Sequence, residues 1–236
     1  MKAIILAAGR GSRMKGLTAN TPKCLIELHG HPLLDWQIAA LTAAGIDNIA
    51  IVTGYRRDAL TSRSLQEFYN ARWAETNMVA SLERADAWLR AETCIISYSD
   101  IFYESTAISA LMECDASLAV TYDPGWRILW EKRFGDPLLD AETFCLRSDG
   151  TLAEIGQRPT SVDDIEGQYM GLLRIAPDGW REIRRIRSNL SSEQRDKMHM
   201  TDTLQMVIEA KRMQIAAVPY TDGWGEIDSP NDLAAY

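Results

Sequence analysis

Leu6-Ala7-Ala8-Gly9-Arg10-Gly11-Ser12-Arg13, followed shortly by Thr21-Pro22-Lys23, decides the reading of this chain. The run comes directly after Lys2-Ala3-Ile4-Ile5-Leu6, an apolar stretch that predicts a buried strand. The chain therefore leaves a strand and enters a loop of small residues. Glycine lets backbone N–H groups approach a ligand closely and adopt dihedrals that other residues resist. Successive N–H groups in such a loop form an anion-binding concavity. Arg13 and Lys23 add fixed positive charge, and the combination suits a nucleoside triphosphate. Two other phosphate loops are excluded. The P-loop ends in Gly-Lys-Ser/Thr, which does not occur here. The dinucleotide fingerprint needs a third glycine where Met14 stands. An ordinary glycine-rich strand-to-helix turn would explain the glycines, but not Arg13 together with Pro22-Lys23.

The 236 residues suffice for one large α/β domain, and no linker, repeat or low-complexity tract interrupts them. A net charge of −8 argues against a general nucleic-acid binder. The apolar run after Met1-Lys2 is too short for a signal peptide, and no stretch reaches the ~20 apolar residues of a membrane span. Cys24, Cys94, Cys114 and Cys145 have no paired spacing and read as reduced thiols, which points to the cytoplasm. His29, His31 and His199 are too scattered for a zinc site.

Further along, residues 23–27 read as extended, and Leu34, Ile38 and Leu41 as one face of a helix closed by Gly45. Residues 48–53 are a second buried strand. Residues 56–70 read as a short helix with loops, and 79–89 as a helix. Residues 93–98 form a third strand, Ser105 can cap a helix running to Glu113, and 116–121 form a fourth strand. The alternation predicts a central mixed, mostly parallel sheet. Residues 122–175 show no clear long helix but contain a hairpin turning at Ser148-Asp149-Gly150, then a strand over 169–175. Helices over 177–186 and 201–210 and a strand over 214–218 follow. We take 1–236 as a single domain, with 122–175 an acceptor-binding insert at the sheet's carboxyl edge, where α/β proteins bind ligands.

Asp100 directly follows the third strand, and Asp228 lies in Trp224-Gly225-Glu226-Ile227-Asp228-Ser229-Pro230. Taken alone, Asp100 could be a cap or turn residue and Asp228 an Asx turn before Pro230. The pattern Leu-Ala-Ala-Gly-x-Gly-x-Arg, a gap, then Pro-Lys resembles the signature of nucleotidyltransferases that activate sugar phosphates and small alcohol phosphates. Val52-Thr53-Gly54-Tyr55, Trp73 through Leu82, Tyr98-Ser99-Asp100 and Glu226-Ile227-Asp228-Ser229 make it similar to the choline-phosphate cytidylyltransferases and their bacterial relatives. The resemblance spans nearly the whole chain. It implies a Rossmann-like nucleotidyltransferase fold and Asp100 and Asp228 as ligands of Mg²⁺. It also implies Arg13 and Lys23 as catalytic groups, and Leu6, Ala7, Ala8, Gly9, Gly11, Ser12, Gly54, Tyr55, Asn77, Ser81 and Ser99 as further nucleotide contacts. Two carboxylates with phosphate oxygens and waters suit that hard ion.

The expected reaction joins CMP from CTP to a small phosphorylated or phosphonate acceptor and releases pyrophosphate. Alternatives are a sugar-1-phosphate enzyme using UTP, GTP or dTTP, and a catalytically inactive nucleotide-sensing subunit. Acceptor contacts are expected from Trp126, Lys132, Arg133, Tyr169 and Asp202. Trp126 and Trp130 could form a cage for a quaternary ammonium, or be large core residues. The stretch around Lys132, Arg133, Asp136, Asp140 and Glu142 could bind a zwitterion, or be a solvated loop. No membrane or nucleic-acid partner is expected, and self-association is left open.

Overall fold

Six strands running one way and one reversed strand form the centre of the protein. The computed structural model describes residues 1–236, apart from the side chain of Ser62. In chain order the elements are β1 (Lys2–Ala7), β2 (Glu27–Leu28), β3 (His31–Pro32), α1 (Leu33–Ala43), β4 (Ile49–Thr53) and β5 (Gln66–Tyr69). Next come α2 (Met78–Leu82), α3 (Asp86–Ala91), β6 (Cys94–Tyr98), β7 (Ile101–Tyr103), α4 (Ser105–Glu113), β8 (Leu118–Asp123) and α5 (Trp126–Phe134). The chain continues through β9 (Phe144–Leu146), β10 (Leu152–Ile155), β11 (Gln168–Ile175), α6 (Pro177–Ser188), α7 (Ser192–Lys197), α8 (Met200–Ala210), β12 (Ala216–Pro219) and β13 (Trp224–Glu226).

The seven-stranded sheet has the order β12-β8-β11-β6-β1-β4-β5. Only β11 runs antiparallel, to both β6 and β8. This is the expected α/β architecture with a mixed, mostly parallel sheet. Both of its faces are covered, so its strands read as continuous apolar runs. Ala3, Ile5 and Ala7 of β1 join one core with Leu34 and Leu41 of α1 and Leu111 of α4. Ile4 and Leu6 point the other way and meet Val79, Leu89, Trp180 and Leu204. The hairpin forms as expected, with β9 antiparallel to β10 and the Arg147 N–H donating to the Thr151 carbonyl at 2.8 Å.

Several local expectations are corrected. Residues 56–70 contain the edge strand β5, paired to β4, after a 3₁₀ segment at Arg57–Arg63. Its only neighbour is β4, so polar Gln66 and Glu67 are tolerated there and hide the strand. The helix expected over 79–89 is two pieces joined by a 3₁₀ turn at Glu83–Ala85. Residues 23–25 are a 3₁₀ turn rather than extended, and Ser105 is the first residue of α4, not its cap. The insert holds the nine-residue helix α5. Its sequence lacks a clean apolar stripe: Trp126 and Trp130 are buried while Ile128 is 80% exposed. All four cysteines are free. Among the described residues, no helix is long and apolar enough to cross a membrane.

Candidate active site

The loop after β1 is shaped by two glycines. Gly11 has φ +66°, and a side chain there would place its Cβ 2.9 Å from Cβ of Lys23. Glycine therefore lets the loop lie directly on the Lys23 stem. At Gly54 a Cβ would sit 2.6 Å from the Ala8 carbonyl oxygen. Tyr55 supports the loop from behind: its N–H donates to the Ala8 carbonyl at 2.9 Å and its hydroxyl to the Thr18 carbonyl at 3.0 Å. Ala7, also expected at the nucleotide, is buried at the end of β1.

In front of this loop lies a cavity of about 260 Å³. Its walls include Leu6, Ala8, Gly9, Gly11, Ser12, Arg13, Lys23, Asn77, Ser81, Ser99 and Asp100. Gly54, Tyr55 and Ala7 stand behind that wall rather than in it. Trp73, Thr76, Met78 and Tyr98, which lie in the stretches that carry the resemblance but were not expected as nucleotide contacts, also line the cavity. Asn77 caps α2, its Oδ1 accepting from the Met78 N–H at 2.9 Å, while its amide lies 3.0 Å from His199 Nε2. Ser81 Oγ accepts from the Asn70 amide at 2.9 Å.

Asp100 and Asp228 are far apart in sequence, and a short antiparallel ribbon joins them. Strand β7 pairs with β13, putting Ile101 opposite Glu226, and the Ile227 N–H donates to the Asp100 carbonyl at 2.9 Å. The buried Gln37 amide of α1 donates to the Tyr98 carbonyl at 2.9 Å and to that of Ile101, so it holds the turn carrying Asp100. As a result one oxygen each from Asp100, Glu226 and Asp228 lie within 4.8 Å of one another. Glu226 was not among the expected ligands. Its spacing carried the signal, since residues i and i+2 of an extended segment face one side.

The Lys23 ammonium sits between Asp100 Oδ2, at 2.7 Å, and Asp228 Oδ1. Arg13 reaches Asp228 Oδ1 at 2.9 Å. Burial disfavours the charge on Lys23, but Asp100, Asp228 and Glu226 outweigh it and hold its pKa above the usual lysine value. Burial likewise opposes the Asp228 charge, yet Lys23 and Arg13 hold that carboxyl below the ordinary range. Glu226 goes the other way: burial first, then Asp228 and Asp100, push it well above the range. Asp100 Oδ1 is buried without a hydrogen-bond partner. An all-oxygen cluster with an orphaned carboxylate oxygen fits a hard divalent cation.

Arg13, Met78 and Tyr98 also line a second cavity of about 180 Å³, so the two cavities meet beside the carboxylates. The insert contributes Asp140, Glu142, Thr143, Gln168 and Tyr169 to its wall. Tyr169 packs edge-to-face on Tyr98 with ring centroids 5.7 Å apart. Burial, and then the nearby Asp228, raises the Asp140 pKa; burial, and then Asp140, raises that of Glu142. Trp130 touches this cavity from the core.

The other expected acceptor residues are not brought to it. Trp126 is 4% exposed and belongs to the core. The Lys132 ammonium donates to the Ala235 carbonyl near the C-terminus. The Arg133 guanidinium is wholly buried against Glu226 and Asp232. Asp202 caps α8 by accepting from the His199 N–H at 3.1 Å. In each case a structural partner takes up the side chain that the composition of the insert and late helix suggested for ligand binding.

Comparison with known proteins bears on the family and the fold. The profile of the MobA-like NTP transferase domain matches residues 3–159. A CTP:phosphoglutamine cytidylyltransferase of Campylobacter jejuni is 36% identical, with 99% of this chain and 98% of that protein covered. A choline-phosphate cytidylyltransferase of Streptococcus pneumoniae is 41% identical over 35% of this chain and 38% of its own. Among solved structures, the inositol-1-phosphate CTP transferase of T. maritima matches with TM-score 0.76 and 19% identity over 98% of this chain and 90% of that one. The CTP:phosphocholine cytidylyltransferase of Streptococcus pneumoniae matches with TM-score 0.70 and 20% identity over 99% and 96%. At these identities the two structures bear on the fold, and they share it over nearly its whole length. The profile match and the full-length relative together place the chain in the MobA-like NTP transferase family, as a nucleotidyltransferase.

Proposed function

We propose that this protein is a cytidylyltransferase that joins CMP from CTP to a small phosphorylated acceptor. The observation that carries the reading is the meeting of two cavities at Arg13, beside Lys23 and the three carboxylates. CTP takes the cavity in front of the glycine loop and the acceptor takes the one walled by the insert, so the reacting phosphates face each other at the junction. Residues 1–236 act as one domain, with 122–175 supplying acceptor contacts. The full-length similarity to a CTP:phosphoglutamine cytidylyltransferase and the partial similarity to choline-phosphate cytidylyltransferases support CTP as donor.

The acceptor's phosphate oxygen attacks the α-phosphorus in line. A new P–O bond forms, the bond to the bridging oxygen breaks, and pyrophosphate leaves. The attacking oxygen is already ionised at neutral pH, so no general base is needed. Catalysis is positioning plus charge neutralisation. The loop amides and Arg13 hold the triphosphate, and Lys23 neutralises charge around the reacting phosphates. Asp100, Glu226 and Asp228 would hold Mg²⁺, which supplies further charge neutralisation at phosphate oxygens when bound.

The acceptor cavity favours a substrate with a hydrogen-bonding cation or amide. Among the described residues Glu142 has no cationic partner, and Thr143, Gln168 and Tyr169 offer polar groups beside it. A primary ammonium or an amide can donate to these groups, whereas a trimethylated nitrogen cannot. Phosphoglutamine and 2-aminoethylphosphonate therefore lead the acceptor panel, ahead of choline phosphate. Pyrophosphate release is measured for CTP, UTP, GTP and dTTP against these three acceptors, inositol 1-phosphate and glucose 1-phosphate. CTP with an amine- or amide-bearing acceptor is expected to give the highest kcat/KM. Faster turnover of a sugar phosphate with UTP, GTP or dTTP sinks the reading, as does a melting temperature raised by CTP with no release from any pair, which favours the nucleotide-sensing alternative.

A further inference from the structure

Arg133 belongs to the insert by sequence, yet its side chain is withdrawn from the acceptor and wholly buried, at 0% exposure. Its Nη1 donates to Glu226 Oε2 at 3.1 Å and its Nε to Asp232 Oδ1 at 2.9 Å, while Nη2 stands 4.0 Å from Asp228 Oδ2 without a hydrogen bond. Asp232 in turn uses Oδ2 to accept from the N–H groups of Asp228 and Ser229, at 2.9 and 2.7 Å. One guanidinium thus grips a cluster carboxylate directly and the backbone of a second through Asp232. Its planar fork of donors makes such simultaneous bonds in fixed directions, which a lysine cannot reproduce. One turn earlier on α5, Trp130 lines the acceptor cavity, and the Arg133 guanidinium lies 4.9 Å from its ring centroid.

From this arrangement we infer that Arg133, acting through Asp232, is a positioning residue that sets the separation and orientation of Glu226 and Asp228 for a divalent cation and ties them to the acceptor insert. The inference rests on the proposed site of transfer, but its central consequence is read without turnover. The fork bonds Glu226 and Asp232, and Asp232 holds the 228–229 backbone, so one buried group sets the spacing of Glu226 and Asp228. Removing it lets the segment 226–228 relax and leaves the cation fewer aligned oxygens. The acceptor loses no direct contact.

The experiment compares Arg133→Met, Arg133→Lys and Asp232→Asn with the unmodified protein. Binding of Mn²⁺ alone is followed by the loss of its free-ion electron paramagnetic resonance signal, and kcat and acceptor KM are measured at saturating CTP. Arg133→Met is expected to weaken Mn²⁺ binding at least tenfold and to lower kcat at least a hundredfold, with acceptor KM within threefold. Arg133→Lys recovers part of the Mn²⁺ affinity because the charge survives but the fork does not. Asp232→Asn, whose amide keeps one acceptor oxygen for the 228–229 backbone, gives the same pattern with smaller amplitude and decides the matter if Arg133→Met fails to fold. Unchanged Mn²⁺ affinity in the folded variants overturns the inference, as does a rise confined to acceptor KM, which would mean that Arg133 touches the acceptor. If the unmodified protein binds Mn²⁺ but releases no pyrophosphate from any substrate pair, the transfer reading fails while the Mn²⁺ comparison still tests the positioning role.

Discussion

The two cavities that meet at Arg13 are built differently. The one in front of the glycine loop draws on two compact stretches, residues 6–23 and 73–100, both attached to adjacent central strands β1 and β6. Beyond the shared Arg13, Met78 and Tyr98, the other is assembled from Trp130, Ile155 and residues 140–143, 168–171, 199–201 and 226–228, which converge from separate elements. A short stretch can specify a loop shape by itself, through glycine dihedrals and hydrogen bonds to near neighbours. A cavity made of several distant pieces exists only once the core has placed them. The first is therefore constrained residue by residue, whereas the second is free to vary wherever a side chain is not also structural. This difference suits an enzyme class in which one nucleotide-handling apparatus serves many acceptors.

The sharpest way to break that contrast is at Trp126. If α5 is scaffold and not cage, Trp126→Ala should cost about 3–5 kcal/mol of stability while acceptor KM, measured below the melting transition, stays within twofold. A large rise in KM with little loss of stability by urea denaturation would restore Trp126 to the acceptor site.

Next in size is the carboxylate cluster. Asp100→Asn or Asp228→Asn should lower kcat by about 10²-fold or more, as removal of a preorganised charge partner does. Initial rates across a Mg²⁺ titration check this, and full activity of either variant at saturating Mg²⁺ refutes the metal assignment. Lys23→Ala should also act on kcat. If only KM rises, Lys23 binds substrate and transition state equally, and its assigned role is wrong.

Gly11→Ala sharpens the local side of the comparison. A left-handed conformation costs a non-glycine residue about 1–2 kcal/mol, and the new Cβ would press on the Lys23 stem. An effect of about tenfold on kcat/KM for CTP is expected, without a change in acceptor preference. The smallest effect is expected at Lys132→Ala, whose lost bond to the Ala235 carbonyl lies away from both cavities. Stability should change by about 0.5 kcal/mol and acceptor KM should not respond; a rise in that KM would return Lys132 to the acceptor wall.

The same asymmetry governs what could be read before the structure. The sheet was legible because buried strands such as Ile49–Thr53 and Cys94–Tyr98 are nearly continuous apolar runs with glycine or polar punctuation. Strand β5 was not, because an edge strand can carry Gln66 and Glu67 without burying them. The loop residues were legible through a motif whose glycines have a conformational purpose. Arg133 and Asp202 misled because buried ion pairs and helix caps use the same residue types as ligand sites. Glu142 was legible only as part of the polar stretch from Lys132 that could bind a zwitterion, and Gln168 carries no pattern at all; only the return of β11 between β6 and β8 brings Gln168 and Tyr169 to the cavity.

The lysine between Asp100 and Asp228 implies that the resting protein carries its own counterion. Loading the site is then an exchange of one cation for another, not the filling of a repulsive void. Such an arrangement tolerates scarcity of divalent ions, because the fold does not lean on them. The melting temperature should therefore rise only slightly from chelator to Mg²⁺ when no nucleotide is present, and should rise further when CTP and Mg²⁺ are supplied together, as the triphosphate draws the ammonium away from the carboxylates. A protein that melts markedly earlier in chelator alone would show that its lysine does not fill that office.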